Sequence, residues 1–339
     1  MTKIKPVNVG LIGAGRIGSF HGETVARRLV DAELVAIADP ASGAAAKLAD
    51  RLGVDASYTD VTELLAHPGL DAVIIATPAR FHTNILVQAA EAGKAIFCEK
   101  PMSLTLEDAD RAIAAARGAG VTLQVGFNRR WDQAFAEGRA AIDAGKIGAP
   151  QLIRSLTRDP GPFGADPGKI PLWTIFYETL IHDFDTLLWL NPGAKPVEVF
   201  AMADALVRPD AREKGFLDTA VVSIRFDNGS VAVAEANFSA LYGYDIRGEV
   251  FGSGGMVTMG DVRRSSLTLF DKDGVSNDTW RRDTDHFIHG YTAQLASFAN
   301  AVRNRALAEG PTGIDARNAL AIALACIESV STKQPVILK

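Results

Sequence analysis

The sequence predicts an α/β protein: a doubly wound, parallel-sheet domain first, then an α+β domain built on a largely antiparallel open sheet. Three observations predict it. Short apolar runs without polar alternation recur between helical stretches up to about residue 125, as strands covered on both faces require. A glycine cluster follows the first of these runs and opens a helix. Beyond that point the alternation stops, and strand candidates follow one another with hairpin signals between them.

Taken in order, Val7 to Ile12 is the first strand and Arg16 to Val30 the first helix. A second strand covers Leu34 to Ala38, followed by helices over Ala44 to Leu52 and Thr62 to Ala66. Ala72 to Ala76, Ala95 to Cys98 and Val121 to Val125 are the third, fourth and fifth strands. Helices over Thr83 to Ala92 and Leu106 to Arg117 connect them, the second with Thr105 as N-cap. Parallel strands need crossovers of this kind. The expected domains are therefore residues 1–125 and 126–339.

In the second part, Asp132 to Ala144 reads as a helix ending at Gly145, and Gln151 to Leu156 begins a strand. Pro160 to Pro171 is rich in Pro and Gly and reads as a loop, and Ile175 to Leu190 as a long helix. Strand candidates run from Val197 to Phe270. Among them Val221 to Phe226 and Ser230 to Phe238 flank Asp227-Asn228-Gly229, a hairpin turn. Two helices, about Thr292 to Arg305 and Asp315 to Val330, close the chain, with His286 and His289 expected in a loop before them.

The 339 residues are 47% hydrophobic and 22% charged, an ordinary globular mix. A formal charge of −5 gives no electrostatic case for nucleic acid. Cys98 and Cys326 are the only cysteines. They lie far apart in apolar runs, which argues for buried thiols rather than a disulfide framework or a metal cluster. The polar start, Met1 to Pro6, runs straight into a strand with no leader pattern, and no apolar run has the length of a membrane span. The expected compartment is the cytoplasm.

Gly13-Ala14-Gly15-Arg16-Ile17-Gly18 is a GxGxxG motif between a strand and a helix, the context that gives it meaning. The first glycine permits the tight turn, the second lets a pyrophosphate approach the backbone, and the third lets the helix pack on the strand. Free N–H groups at the helix start then face the phosphates. Asp39 ends the second strand about 20 residues further on, where a carboxylate accepts the ribose hydroxyls and repels a 2′-phosphate. Residues 40 to 46 contain no arginine, so NAD is favoured over NADP.

Four more segments complete a pattern. Ala76-Thr77-Pro78, with His82 beyond it, ends the third main strand, and Cys98-Glu99-Lys100-Pro101 ends the next. Gly126-Phe127-Asn128-Arg129-Arg130 follows the fifth, and Ile181-His182-Asp183-Phe184-Asp185 lies inside the long helix. In this order and spacing the set resembles the glucose–fructose oxidoreductase and inositol dehydrogenase family over nearly the whole chain. Arg158-Asp159-Pro160, Tyr242-Gly243-Tyr244-Asp245 and Gly252-Ser253 bring it nearest to the bacterial inositol 2-dehydrogenases.

The resemblance implies a Rossmann domain and an α+β domain whose open sheet commonly mediates homo-oligomers, tetramers or dimers. It makes Lys100 the lysine of the Glu-Lys-Pro motif and His182 the proton acceptor. An aspartate four residues before that histidine normally completes the group; here Glu178 stands instead. Carried over in the same way, Gly13, Gly15, Arg16, Ile17, Gly18, Asp39, Thr77, Pro78, His82, Glu99 and Lys100 are expected to contact NAD. Arg129, Asp159, Glu178, Thr179, His182, Tyr242, Tyr244 and Tyr291 are expected to contact substrate. Trp173 stands as a pocket wall or a packing residue.

These residue types suit the chemistry. Oxidising an alcohol removes a hydroxyl proton and a carbon-bound hydride, so the protein must supply a base and hold the carbon. Histidine titrates near neutrality. A lysine ammonium stabilises charge developing on the reacting oxygen. Glu178 and His182, at i and i+4, fall on one helix face. No ligand spacing calls for a metal. The resemblance implies NAD-dependent oxidation of a ring hydroxyl of an inositol or, next, an aldopyranose, and the reaction is expected in a cleft between the domains. The rivals are an NADP-linked sugar reductase, against which Asp39 argues, and a non-catalytic dinucleotide sensor, against which Lys100 and His182 argue.

Overall fold

The computed structural model describes residues 5–161, 170–214, 216–306 and 309–338. Most of the expected loop between Pro160 and Pro171, and the first four residues of the polar start, lie outside the described residues. The chain forms two compact units, Met1–Trp131 with His289–Arg317, and Asp132–Ile288 with Asn318–Lys339.

The first unit alternates strands and helices: β1 (Val7–Ile12), α1 (Arg16–Arg28), β2 (Ala32–Ala38), α2 (Ala44–Leu52), β3 (Ala56–Tyr58) and α3 (Val61–Leu65). There follow β4 (Ala72–Ile75), α4 (His82–Glu91), β5 (Ala95–Cys98), α5 (Leu106–Ala119) and β6 (Leu123–Val125). The six strands pair in parallel in the order β3-β2-β1-β4-β5-β6. Every residue of β4 and β5 is buried, which explains their unbroken apolar character. Helix starts follow local chemistry. Asp60 accepts the N–H of Thr62 at 2.6 Å to open α3, and Thr105 accepts that of Asp108 at 3.1 Å to open α5. Strand order reverses between β1 and β4, and in such sheets ligands bind at the carboxyl ends of the strands beside that reversal.

Two features of the first unit differ from the sequence reading. The sheet has a sixth strand, β3, whose three residues pair with Ala36–Ala38 and are too few to carry a pattern. The division of the chain also differs from a break at residue 125. Helix α9 (Ile288–Asn304) places Leu295, Phe298 and Ala299 in the core of the first unit, with Val7, Val9 and Phe97. The i, i+3, i+4 spacing of those three makes one apolar stripe, and burying it brings this late segment back to the first unit.

The second unit opens with α6 (Gln133–Asp143), capped by Asp132, which accepts the N–H of Ala134 at 3.0 Å. Then come β7 (Pro150–Arg158), α7 (Ile181–Trp189), β8 (Pro196–Asp204), β9 (Thr219–Phe226), β10 (Val231–Asn237), β11 (Asp245–Gly252) and β12 (Gly255–Met259). An outlying ribbon of β13 (Arg263–Asp271) and β14 (Gly274–Thr279) precedes α8 (Asp283–His286); α10 (Gly313–Thr332) and β15 (Val336–Ile337) end the chain. His286 and His289 are thus helical, in α8 and α9, rather than in a loop.

The main sheet runs β12-β11-β7-β10-β9-β8-β15 and is antiparallel except where β7 meets β10. The expected turn joins β9 to β10, with Gly229 at φ 86° and the Asn228 side chain accepting the N–H of Ser230. Alternation is regular: Ala220, Val222, Ile224 and Phe226 of β9 are buried while Val221, Ser223 and Arg225 are exposed. Helix α7 packs against β7 and β10. Its Asp183 is fully buried and accepts hydroxyl protons from Ser155 (2.5 Å) and Thr157 (2.7 Å) of β7. A buried carboxylate bonded on both oxygens fixes the helix to the sheet, and so fixes the backbone of His182 beside it.

Candidate active site

In the first unit the glycine loop joins β1 to α1 at the carboxyl end of the strand. Gly13 has φ +105°, and a Cβ on it would lie 2.6 Å from the Ala76 carbonyl oxygen. A Cβ on Gly18 would come within 2.0 Å of the Gly13 carbonyl oxygen, so the helix can approach the turn only without a side chain there. A Cβ on Gly15 would meet nothing within 4 Å. The outer two glycines thus serve the fold, while the middle one leaves open space at the helix start. No side chain caps α1, and its first turn carries no acid, so its N–H groups suit an anion. Arg16 is exposed and Ile17 packs against the core.

Asp39, directly after β2, is half-buried. Its Oδ2 accepts the Ala14 N–H at 2.7 Å and its Oδ1 that of Ala41 at 2.8 Å. The carboxylate is thereby held against the glycine loop, with lone pairs remaining on both oxygens. At the end of β4, the Thr77 hydroxyl is buried with no hydrogen-bond partner, and Pro78 is exposed. An open cradle, a fixed carboxylate and an unmatched hydroxyl at the strand ends fit a dinucleotide. His82 is 1% exposed, with Nδ1 2.8 Å from the Pro101 carbonyl oxygen and Nε2 2.7 Å from that of Thr77. It braces the two strand-end segments against each other.

Lys100 follows β5 and is half-buried. The Glu99 side chain beside it is buried, with Oε1 2.6 Å from His21 Nε2 and Oε2 accepting the Lys100 N–H at 3.1 Å. Burial opposes ionisation of this carboxyl. The hydrogen bond and charge of His21, with the charge of Lys100, outweigh that and hold it below the ordinary glutamate range. Arg129 is buried in a 3₁₀ turn, Asn128–Trp131. Tyr291, on α9, is also buried, its ring 5.1 Å from Phe20 and 5.7 Å from His21. Sequence reasoning misses His21. The signal available was a histidine on the buried face of α1, three residues after Gly18, which looks like any core histidine.

In the second unit, Glu178, Thr179 and His182 are all half-buried on the helix that faces β7. That helix is not regular. It opens with a π-helical turn, Ile175–Leu180, just after Trp173, whose φ of +62° is uncommon for a bulky residue. A π turn closes its hydrogen bonds over five residues, so Glu178 and His182 are not an ordinary i, i+4 pair. Such turns and left-handed backbones gather at functional sites. The Thr186 hydroxyl donates to the His182 carbonyl at 2.7 Å, steadying its backbone.

Asp159 follows β7, and its Oδ1 accepts the N–H of Gly161 at 2.7 Å. The Tyr242 hydroxyl donates to Asp245 at 3.0 Å, and Asp245 also accepts from Arg247 at 2.6 Å. Burial and Asp245 raise the Tyr242 phenol above its usual range against the pull of Arg158. Tyr242 therefore belongs to a charged cluster where β7 ends and β11 begins. Tyr244 is half-buried, its N–H donated to the Trp280 carbonyl at 2.8 Å. Among the described residues no three His, Cys, Asp or Glu side chains group as a metal site, and no helix is long and apolar enough to cross a membrane.

A Gly15→Ala variant separates fold from ligand. With open space around the added methyl, the melting temperature should be unchanged. NAD affinity, read by calorimetric titration, should fall by about tenfold or more as the methyl enters the pyrophosphate approach.

Residues 7–127 match the family model described as an oxidoreductase family with an NAD-binding Rossmann fold, and residues 135–258 match the GFO/IDH/MocA C-terminal domain. The chain is 36% identical to myo-inositol 2-dehydrogenase of Thermotoga maritima, over 97% of this chain and 98% of the relative. It is 36% identical to scyllo-inositol 2-dehydrogenase (NAD(+)) of Bacillus subtilis, over 97% and 96%. Among solved structures it is similar to scyllo-inositol dehydrogenase of Lactobacillus casei with bound NAD(H) and scyllo-inositol. That match has a TM-score of 0.94 and 27% identity, over 98% of this chain and 99% of the other.

Proposed function

The chain belongs to the GFO/IDH/MocA oxidoreductase family, and on that premise we propose that it oxidises a secondary ring hydroxyl of a cyclitol to the ketone, with His182 as proton acceptor and Lys100 assisting. Bound NAD supplies the acceptor for the hydride leaving the ring carbon. The glycine loop and the N–H groups of α1 hold the pyrophosphate, Asp39 holds the adenosine ribose, and Thr77 offers its unmatched hydroxyl. His182 takes the hydroxyl proton, and the Lys100 ammonium steadies the oxygen as negative charge develops on it. Glu178 orients the imidazole or binds a neighbouring hydroxyl. Arg129, Asp159, Thr179, Tyr244 and Tyr291 complete the polyol contacts. The observation that carries this reading is the open space at Gly15 beside a carboxylate fixed by the loop's own N–H, in a chain similar along its length to inositol dehydrogenases.

The proposal also places the enzyme in the cytoplasm as a homo-oligomer. The sheet face of β8, β9 and β10 that carries Met202, Val221 and Val231, all exposed, suits a second copy of the chain. The test of function is a panel of inositols, pyranoses and acyclic polyols, assayed by NADH absorbance with NAD and with NADP. The expected result is turnover of an inositol with NAD preferred by about a hundredfold or more, because Asp39 repels the 2′-phosphate. Pyranose turnover alone would move the substrate class. Equal use of NADP would remove the role given to Asp39.

A further inference from the structure

We propose that His21 and Glu99 form a positioning pair that sets Lys100, tying the helix of the glycine loop to the lysine of the Glu-Lys-Pro segment. The inference rests on the reading of Lys100 as part of the reaction machinery. His21 sits in α1 three residues beyond Gly18, whose close approach to Gly13 pins the helix start to the turn after β1. Its ring is fully buried among Phe97 (5.6 Å), Tyr291 (5.7 Å) and Phe20 (6.2 Å). Nε2 meets Glu99 Oε1 at 2.6 Å across 78 residues of sequence, and Glu99 Oε2 takes the main-chain N–H of Lys100. Two side chains therefore connect α1 to the backbone of Lys100 without a gap.

The carboxylate has little freedom. A Cβ at Gly126, just past β6, would stand 2.9 Å from Glu99 Oε1, so the strand end is bare where the carboxylate lies. The arrangement is also costly as a purely structural contact. Burying an acid and an imidazole usually gains no more stability than apolar residues of the same size. His21 Nδ1, moreover, is buried with no hydrogen-bond partner, so the fold carries the desolvation of that atom as well. What apolar residues could not provide is a fixed acceptor for the Lys100 N–H. The pair thereby links the seat of the dinucleotide phosphates to the place of the ammonium.

The test uses the full chain with His21→Leu, which removes the bond to Glu99, and His21→Gln, which keeps an N–H donor directed to it. In cofactor-free protein, brief reductive methylation followed by peptide mass spectrometry reads the labelling rate of Lys100 against exposed Lys47. In His21→Leu the Lys100 rate should change by about threefold or more with Lys47 unchanged, and kcat should fall by about tenfold with NAD affinity retained. His21→Gln should bring both back to within about threefold of the parent. If His21→Leu does not fold, His21→Asn, whose amide is too short to reach Glu99, takes its place. An unchanged Lys100 rate in the disrupting variant, or a glutamine variant no better than it, would overturn the proposal. Absence of cyclitol turnover in the parent would instead overturn the proposed reaction, and the labelling comparison would still decide the role of the pair.

Discussion

Replacing His182 with alanine is expected to cut turnover about a thousandfold while NAD affinity stays as it was. The fold should tolerate the change. Alanine is the best helix former, and the contacts that anchor α7 belong to its neighbours. Asp183 holds Ser155 and Thr157, and Ile181 and Phe184 are buried. The Thr186 hydroxyl bonds the carbonyl of residue 182, which alanine keeps. NAD is assigned to residues of the other unit, so its binding, read by titration, should not respond. A fall in kcat with unchanged NAD affinity and melting temperature is therefore the signature of a lost base. Retained turnover would mean that another group takes the proton.

Lys100→Met should lower kcat by about a hundredfold to a thousandfold, the usual effect of removing one charged group that stabilises an oxyanion. Methionine keeps an unbranched apolar stem of similar length, and the main-chain N–H that donates to Glu99 is untouched. Because the two groups are assigned to one proton transfer, the double variant with His182→Ala should be little slower than the worse single variant. Losses that multiply would show that the two residues serve separate steps. The measurement is steady-state NADH production for the four proteins at saturating NAD.

Much of this was readable in advance because it is written locally. β1, β4 and β5 are short apolar runs, the glycine loop stands between a strand and a helix, and Thr105 announces α5. What sequence reasoning missed depends on partners far along the chain. β3 exists because Ala56–Tyr58 can pair with β2, and three residues carry no period of their own. The stripe of Leu295, Phe298 and Ala299 shows that α9 must bury a face without showing which sheet it covers, so sequence order alone assigns the segment to the second domain. A π turn has no residue signature, and its effect on the pairing of Glu178 with His182 emerges only from the backbone. His21 looked inert because its partner, Glu99, lies at the end of another strand.

The most direct test of the central claim follows the transferred hydrogen. A cyclitol deuterated on the carbinol carbon, incubated with the protein and NAD, should yield reduced cofactor that carries the label, detected by mass spectrometry of the isolated NADH. Reduced cofactor without deuterium, or no reduced cofactor from any cyclitol under conditions where NAD is bound, would contradict hydride removal from the ring.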